Sequence, residues 1–119
     1  MTILEYCIEQ ARKIPYVHGR YRLYSAVLNR KGRIIGESSN LYNRSHPQQK
    51  YYSTKAGLNE NKIFLHAELA AMLKVRSGKP NKIVVARVDK YGHPVNACPC
   101  LSCQLAIKEF QIDSVEFTT

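Results

Sequence analysis

The chain reads His66-Ala67-Glu68 near its middle and, after one predicted strand, Pro99-Cys100-Leu101-Ser102-Cys103. One histidine and two cysteines supply three ligands of the kinds that zinc prefers, and Glu68 adds a carboxylate that is not needed as a ligand. Structural zinc sites fill all four tetrahedral positions with protein atoms, whereas catalytic sites leave one position for water. Three ligands beside an acidic side chain therefore predict a catalytic zinc site.

The spacing of these residues indicates how they would meet. The apolar pattern predicts one helix over 64–76, which places His66 and Glu68 in its first turn. Cys100 and Cys103 open the next predicted helix at an i, i+3 separation, so both thiols lie on one face. We therefore expect the imidazole and the two thiols, as thiolates, to bind one ion.

This arrangement suits the hydrolysis of an amino group on an aromatic ring. Zinc lowers the pKa of a bound water to about 7, which makes hydroxide available at neutral pH. Glu68 can take a proton from that water, give it to the ring nitrogen beside C4 of cytosine or C6 of adenine, and protonate the departing ammonia. The pattern H-x-E followed by P-C-x-x-C is the signature of zinc deaminases.

Other interpretations of the cysteines stay open. A C-x-x-C pair alone is also typical of structural zinc sites and of redox sites, and another histidine or Cys98 could complete a set of four ligands. Cys98 is too close to Cys100 for the usual C-x-x-C clasp. We therefore predict that Cys98 is a bystander or a thiol that supports a ligand.

Composition restricts the class of protein. The 119 residues, 45% of them hydrophobic, suit one compact domain. No charged N-terminal segment leads into an apolar run, and no stretch approaches the roughly 20 apolar residues that span a bilayer. We therefore expect a cytoplasmic protein with no membrane partner. Three cysteines crowded at Cys98, Cys100 and Cys103 favour metal or redox chemistry over a disulfide framework.

The charge balance is strongly basic. Lysine and arginine number 18 against 9 acidic residues, which gives a formal net charge of +9. Such a charge favours anionic partners, but basic residues scattered over a small domain are equally typical of a solvated surface. The best candidates for a functional patch are Arg20-Tyr21-Arg22 and Arg30-Lys31-Gly32-Arg33.

Apolar and turn residues predict an α/β order of elements. Thr2 and Glu5 form a capping box at the start of the first helix. An insertion over 39–62 contains a short helix, which Ser45 could cap with Pro47 in its first turn and which Gly57 would end. The predicted elements are a helix over 3–14, a hairpin of strands over 21–28 and 33–38, the insertion helix, a helix over 64–76, a strand over 82–88, a helix over 101–110 and a strand over 114–118. This order implies a mixed sheet of about four strands flanked by helices.

With these motifs, the chain resembles the superfamily of zinc-dependent cytidine and deoxycytidylate deaminases over about residues 21–118. The residues that carry the resemblance form the two metal motifs and the hairpin that precedes them. They are His66-Ala67-Glu68-Leu69-Ala70-Ala71, Pro99-Cys100-Leu101-Ser102-Cys103, Ser25-Ala26-Val27-Leu28, Gly32, Ile34, Ile35, Gly36 and Asn40.

The resemblance implies a three-layer, cytidine-deaminase-like α/β fold in a single zinc-dependent deaminase domain over 1–119. It also implies that His66, Cys100 and Cys103 bind Zn²⁺ and that Glu68 shuttles protons. Asn40 would contact the substrate sugar, and the backbone N–H of Ala67 would meet a base carbonyl. A simple turn asparagine after a strand is the alternative for Asn40.

Two features depart from the family pattern. Cys98 precedes Pro99 where relatives often carry a polar residue. The chain also ends after its fourth predicted strand, so we expect it to lack the C-terminal helix and strand that shape substrate choice in larger relatives. The insertion over 39–62 resembles that of compact phage-type members labelled deoxycytidylate deaminase-like, which points to a nucleotide substrate.

The sequence therefore predicts a hydrolase that deaminates a cytosine-containing substrate, with a free nucleotide such as deoxycytidylate preferred. Arg44, Lys50 or the helix start near Ser45 could hold its phosphate. The alternative is a polynucleotide deaminase acting on adenine or cytosine in tRNA or single-stranded DNA, supported by the charge of +9 and by eight tyrosines that could stack unpaired bases.

A third hypothesis is a zinc-stabilised nucleic-acid-binding module without turnover. Glu68 argues against it, because a structural site has no use for a carboxylate aimed at water. The resemblance implies a homo-oligomer, because relatives commonly self-associate.

Overall fold

A mixed β-sheet with helices on both faces organises the molecule. The structure is a computed structural model that describes residues 1–57 and 64–119, without the side chains of residues 42–45 and 64. In this part of the chain no helix has the length and apolar character needed to cross a membrane. The described elements are α1 (Ile3–Arg12), β1 (Arg22–Leu28), β2 (Ile34–Ser39), β3 (Leu41–Ser45), α2 (Pro47–Lys55), β4 (Phe64–Leu65), α3 (Ala67–Leu73), β5 (Lys82–Val88), β6 (Pro94–Val95), α4 (Leu101–Glu109) and β7 (Ser114–Phe117).

Five strands form the main sheet, in the order β2-β1-β5 followed by β6 and β7 on the far side of β5. β1 pairs antiparallel with both β2 and β5, and β7 pairs parallel with β5. β6 pairs antiparallel with the last two residues of β5. The predicted mixed α/β sheet is confirmed, with one strand more than expected. β6 has only two residues, too few for an alternating pattern to predict it.

Alternation along β1 and β5 directs successive side chains to opposite faces of the sheet. On one face Ala26 and Val84 pack with Cys7 of α1. On the other face Val27 and Val85 belong to the cluster that includes the buried residues of α3 and α4. The sheet therefore separates two apolar layers, and the three-layer arrangement is confirmed.

The start of α1 is as predicted, but its end differs. Thr2 and Glu5 form the capping box. The helix ends at Arg12, where the buried guanidinium of Arg22 donates to the carbonyl oxygens of Arg12 and Ile14. Arg22 is 8% exposed, so its assignment to a basic surface patch is wrong. Its charge instead satisfies backbone carbonyls after the last turn of α1.

The insertion contributes β3 and α2. The Nδ1 atom of His46 accepts a hydrogen bond from the backbone N–H of Gln48, so His46 caps α2 and the prediction of Ser45 is wrong. Ser45 ends β3 instead. Pro47 lies in the first turn of α2, and Gly57 follows its end with a φ of +74°, as predicted.

α3 begins at Ala67, three residues later than expected. The apolar pattern extends back to residue 64, but Leu65 pairs with Leu41 of β3, and its neighbour Phe64 lies in the same short strand. His66 keeps an extended backbone with φ −73° and ψ 154° and is the N-cap of α3. The first-turn position predicted for His66 is therefore wrong, whereas Glu68 does lie in the first turn.

Candidate metal centre

The structure brings together the three side chains predicted as ligands. One ligand atom each from His66, Cys100 and Cys103 lies within 4.8 Å of the others. The Nδ1 atom of His66 is 3.5 Å from the sulfur of Cys100 and 3.4 Å from the sulfur of Cys103. Within residues 1–57 and 64–119 no other group of three metal-ligating side chains meets this closely. One imidazole nitrogen and two sulfurs can therefore hold one cation.

Two helix starts place these ligands. His66 is the N-cap of α3, Cys100 is the N-cap of α4, and Cys103 lies in the first turn of α4. The N-terminus of a helix carries partial positive charge, which stabilises a thiolate. The i, i+3 spacing on α4 turns both sulfurs toward His66, as the sequence predicted.

The two thiols form a hydrogen bond with each other. Hydrogen bonding from Cys103 lowers the pKa of Cys100 to about 3, and the same pairing together with burial raises the pKa of Cys103 well above its usual value. Metal coordination deprotonates a thiol, so Cys100 and Cys103 would both hold a cation as thiolates. Two thiolates and an imidazole form a donor set that fits Zn²⁺.

Glu68 lies beside this group without being one of its three members. The side chain is 3% exposed, and burial raises the pKa of its carboxyl. The carboxyl also hydrogen-bonds with Cys103, which places it next to the sulfurs. A carboxyl that is easier to protonate than usual and lies next to the ligands can carry a proton to and from a reacting molecule.

Gln49 and Ser102 contact the ligand segments and were missed in the sequence. Gln49 is fully buried in α2, and its side chain reaches the backbone of His66 and the hydroxyl of Ser102. Ser102 in turn lies 3.0 Å from the sulfur of Cys100. Ser102 could have been suspected from its place between the two cysteines. Nothing in the short polar helix α2 distinguishes Gln49 from its neighbours.

The three residues predicted to contact the substrate differ from one another in their local contacts. The side chain of Asn40 accepts from the backbone N–H of Leu23 and donates to the carbonyl oxygen of Tyr21. Ala67 is buried, and as the first residue of α3 its backbone N–H has no partner within the helix. Arg44 lies in β3, and its side chain is outside the described part.

Cys98 is not part of the ligand group among the described residues. It is exposed, and its backbone N–H donates to the side chain of Asn96. This placement agrees with the prediction that Cys98 is not a ligand, whether it is a bystander or a thiol that supports one.

A protein-family model identifies the family of the chain. The family model described as the cytidine and deoxycytidylate deaminase zinc-binding region matches residues 1–119. The chain belongs to the cytidine and deoxycytidylate deaminase family. Members of this family are zinc-dependent hydrolases, so the predicted enzyme class and cofactor are confirmed.

Solved structures show that this deaminase has the family fold. The cytidine deaminase from Mycobacterium tuberculosis matches with a TM-score of 0.54 at 18% identity, covering 95% of this chain and 80% of that chain. A mutant of that enzyme with aspartate in place of one glutamate matches with a TM-score of 0.52 at 20% identity, covering 90% and 71%. The search of curated proteins found no match. At these identities the likeness concerns the fold.

Proposed function

We propose that this deaminase hydrolyses the exocyclic amino group of cytosine in a free nucleotide such as deoxycytidylate. In this proposal His66, Cys100 and Cys103 hold Zn²⁺. The observation that carries the proposal is the buried carboxyl of Glu68 beside three ligand atoms that lie within 4.8 Å of one another. A buried acid next to a soft donor set is the combination that hydrolytic deamination of a ring requires.

The proton transfers are assigned to Glu68. When bound, zinc supplies Lewis-acid activation of a water molecule. Glu68 takes a proton from the water as its oxygen bonds to C4 and delivers it to the neighbouring ring nitrogen. Glu68 then moves the second proton to the amino group, the C4–N bond breaks, and ammonia leaves as a new carbonyl forms at C4. Burial favours this role because it raises the pKa of the carboxyl toward the working pH.

Backbone and side-chain contacts orient the substrate in this proposal. The backbone N–H of Ala67, between His66 and Glu68, has no partner within α3 and is suited to a carbonyl of the base. Asn40 follows β2 and is held by the start of β1, so a rigid amide is available to the sugar. The amide uses both its oxygen and its nitrogen on the backbone, which leaves one lone pair and one N–H for a ligand.

Arg44 is the residue that we assign to the phosphate. It lies in β3, which pairs with β4 directly before His66, so this strand lies next to a ligand segment. Lys50 is exposed and lines a surface depression with Pro47, Tyr51 and Thr54. The side of α2 that contacts His66 carries Gln49 instead, so we do not assign the phosphate to Lys50. The position of Arg44 supports a free nucleotide as the substrate.

Ammonia release tests the substrate class. Purified zinc-loaded protein is incubated with dCMP, CMP, deoxycytidine, cytidine and single-stranded oligonucleotides, and Glu68→Gln is the inactive control. We expect the highest kcat/KM with dCMP or CMP. Arg44→Ala should raise KM for the nucleotide and leave the nucleoside unaffected, whereas Arg30→Ala, in the exposed β1–β2 turn, should change neither. Turnover of oligonucleotides alone would refute the proposal.

A polynucleotide substrate is the second candidate, and one exposed surface supports it. The guanidinium of Arg87 lies 3.9 Å from the ring centroid of Tyr21, which is exposed, and the carbonyl of Tyr21 accepts from Asn40. A basic and aromatic surface of this kind can stack an unpaired base. The other predicted basic patch, at Arg30 and Arg33, lies in the turn after β1. Tyr21 precedes β1, so these two basic surfaces lie at opposite ends of the strand.

Salt dependence separates the two candidates. Each phosphate contact displaces counterions, so oligonucleotide binding that weakens steeply with salt would favour the polynucleotide substrate. Tyr21→Ala should weaken that binding, with exposed Tyr91→Ala as the matched control. Weak binding that salt does not change would favour the free nucleotide.

We also propose that the protein is cytoplasmic and forms a homo-oligomer. In the cytoplasm, a deaminase of free nucleotides would have access to its substrate. Self-association would bury additional surface of a small domain. Analytical ultracentrifugation measures the oligomeric state. A fourth protein ligand in the zinc-loaded protein would favour the non-catalytic binding module instead.

A further inference from the structure

The insertion helix α2 reaches the metal centre through one side chain. The Oε1 atom of Gln49 accepts from the backbone N–H of His66 at 3.2 Å. Its Nε2 atom donates to the hydroxyl of Ser102 at 3.3 Å and to that of Ser53 at 3.2 Å. We propose that Gln49 is a positioning residue that fixes both ligand segments and thereby raises the affinity of the site for Zn²⁺.

The orientation of the amide follows from its partners. A backbone N–H can only donate, so the oxygen of Gln49 must face His66. The two hydrogens on the nitrogen then match the two hydroxyl oxygens of Ser53 and Ser102. All of these side chains are buried, and Gln49 and Ser53 are fully so. A buried amide with partners for its oxygen and both hydrogens has one favoured orientation, which makes it a rigid brace.

The contact with Gln49 also determines how Ser102 can hydrogen-bond with the ligand Cys100. Because its hydroxyl oxygen accepts from Gln49, its own hydrogen is left for the sulfur of Cys100, 3.0 Å away. A thiolate can only accept, so in the metal-bound site the hydroxyl must donate. This hydrogen bond fixes the direction of the sulfur and disperses part of its charge. Outer partners of this kind typically change metal affinity by about 10–100-fold.

Gln49 thus connects two segments that are distant in the sequence. It lies 17 residues before His66 and 53 residues before Ser102. The ligands come from the starts of two helices that must hold a fixed separation, and one side chain from a third helix contacts both starts. The affinity of this centre for zinc does not depend on which base or nucleotide the enzyme uses.

Metal affinity measured without substrate tests this role. For Gln49→Leu we expect the dissociation constant for Zn²⁺, from competition with a chromophoric chelator, to rise by about 10–100-fold. The thiolate-to-metal absorption of the cobalt(II) protein should also shift. Gln48→Leu changes the same residue type on the exposed side of α2 and should alter neither measurement. Unchanged affinity and spectrum in Gln49→Leu would overturn the proposal.

Further variants distinguish positioning from general stability. Ser102→Ala should weaken zinc binding and shift the cobalt spectrum, and its effect should not add to that of Gln49→Leu, because both break one chain of contacts. Ser53→Ala removes the branch of Gln49 that does not lead to a ligand, so it should leave zinc affinity near wild type. If Gln49→Leu does not fold, Gln49→Asn, whose shorter side chain cannot bridge both segments, should show the same loss. Additive effects, or equal losses in Ser53→Ala, would refute the proposed role.

Discussion

Each face of the sheet carries a cysteine whose pKa departs from its usual value, and the two pKa values are shifted in opposite directions. On the α1 face Cys7 is fully buried among Ala26, Leu28 and Val84, and burial raises its pKa to about 12. On the α3 and α4 face, hydrogen bonding from Cys103 lowers the pKa of Cys100 to about 3. Burial alone makes a thiol inert. A helix start and polar neighbours instead favour the thiolate, which is the form of cysteine that binds metal.

Two carboxylates show the same contrast. Glu37 of β2 accepts hydrogen bonds from the hydroxyls of Tyr6 and Tyr24, which connect α1 and β1 to β2. Glu68 is buried next to Cys103 instead, and burial raises its pKa. The first carboxylate stabilises the fold through its partners. The second is a buried carboxyl with a raised pKa beside the candidate metal ligands.

The largest expected effect is a loss of turnover on substitution of Glu68, which Glu37 should not share. Glu68→Gln should lower kcat by about 10²–10⁴-fold, because it removes the group that carries protons. Bound zinc should stay at one equivalent per chain, since the three ligands are unchanged. Ammonia release measures kcat, and elemental analysis measures zinc.

Glu37→Gln is the matched control, because it makes the same change on the other side of the sheet. It should keep turnover near wild type while lowering stability. Comparable turnover in both variants would remove Glu68 from the mechanism.

Local spacing explains why the metal residues could be predicted. His66 and Glu68 are two residues apart, and Cys100 and Cys103 are three apart, so each pair is placed by its own helix start. The alternating apolar residues of β5 likewise define a strand without knowledge of the rest of the fold.

Contacts between distant segments could not be predicted. The register of β4 depends on Leu41, which pairs with Leu65. Because of this pairing, Leu65 lies in a strand and not in the predicted helix. Ser45 and His46 are both able to accept at a helix start, and only the end of β3 decides between them. Gln49 finds its partners 17 and 53 residues away, and α2 has no apolar stripe to show which side is buried.

Close packing of α3 should make its face of the sheet intolerant of added volume. A Cβ atom at Gly36 would clash with the carbonyl oxygen of Ala71 and lie 2.9 Å from a methyl of Val75. Gly36→Ala should therefore lower the free energy of unfolding by about 1–3 kcal/mol. Urea denaturation of the metal-free protein measures the loss.

Gly19→Ala is a suitable comparison for Gly36→Ala. Its Cβ would meet open space, and only the backbone strain of a φ of +80° would cost stability, about 1 kcal/mol. If Gly36→Ala proved no more destabilising than Gly19→Ala, α3 would not be packed as closely as the structure indicates.

The tyrosine contacts on the α1 face should matter for stability and leave catalysis unchanged. Tyr24→Phe removes the 2.6 Å hydrogen bond to Glu37, and we expect a loss of about 1.5 kcal/mol. Tyr91→Phe, at an exposed position, should cost almost nothing. Chemical denaturation gives both values. A fall in kcat for Tyr24→Phe at unchanged zinc content would show that the two faces are coupled.

The smallest expected effect concerns the buried thiol of Cys7. Thiolate is the reactive form, and a pKa raised to about 12 keeps Cys7 protonated at about pH 8, so iodoacetamide should not modify it in the folded, zinc-loaded protein. Exposed Cys98 should react under the same conditions and serves as the internal control. Peptide mass spectrometry distinguishes the two sites, and denaturant should make both reactive. Rapid modification of Cys7 in the folded protein would mean that α1 opens readily from the sheet, and the contrast between an inert and a ligating thiol would then fail.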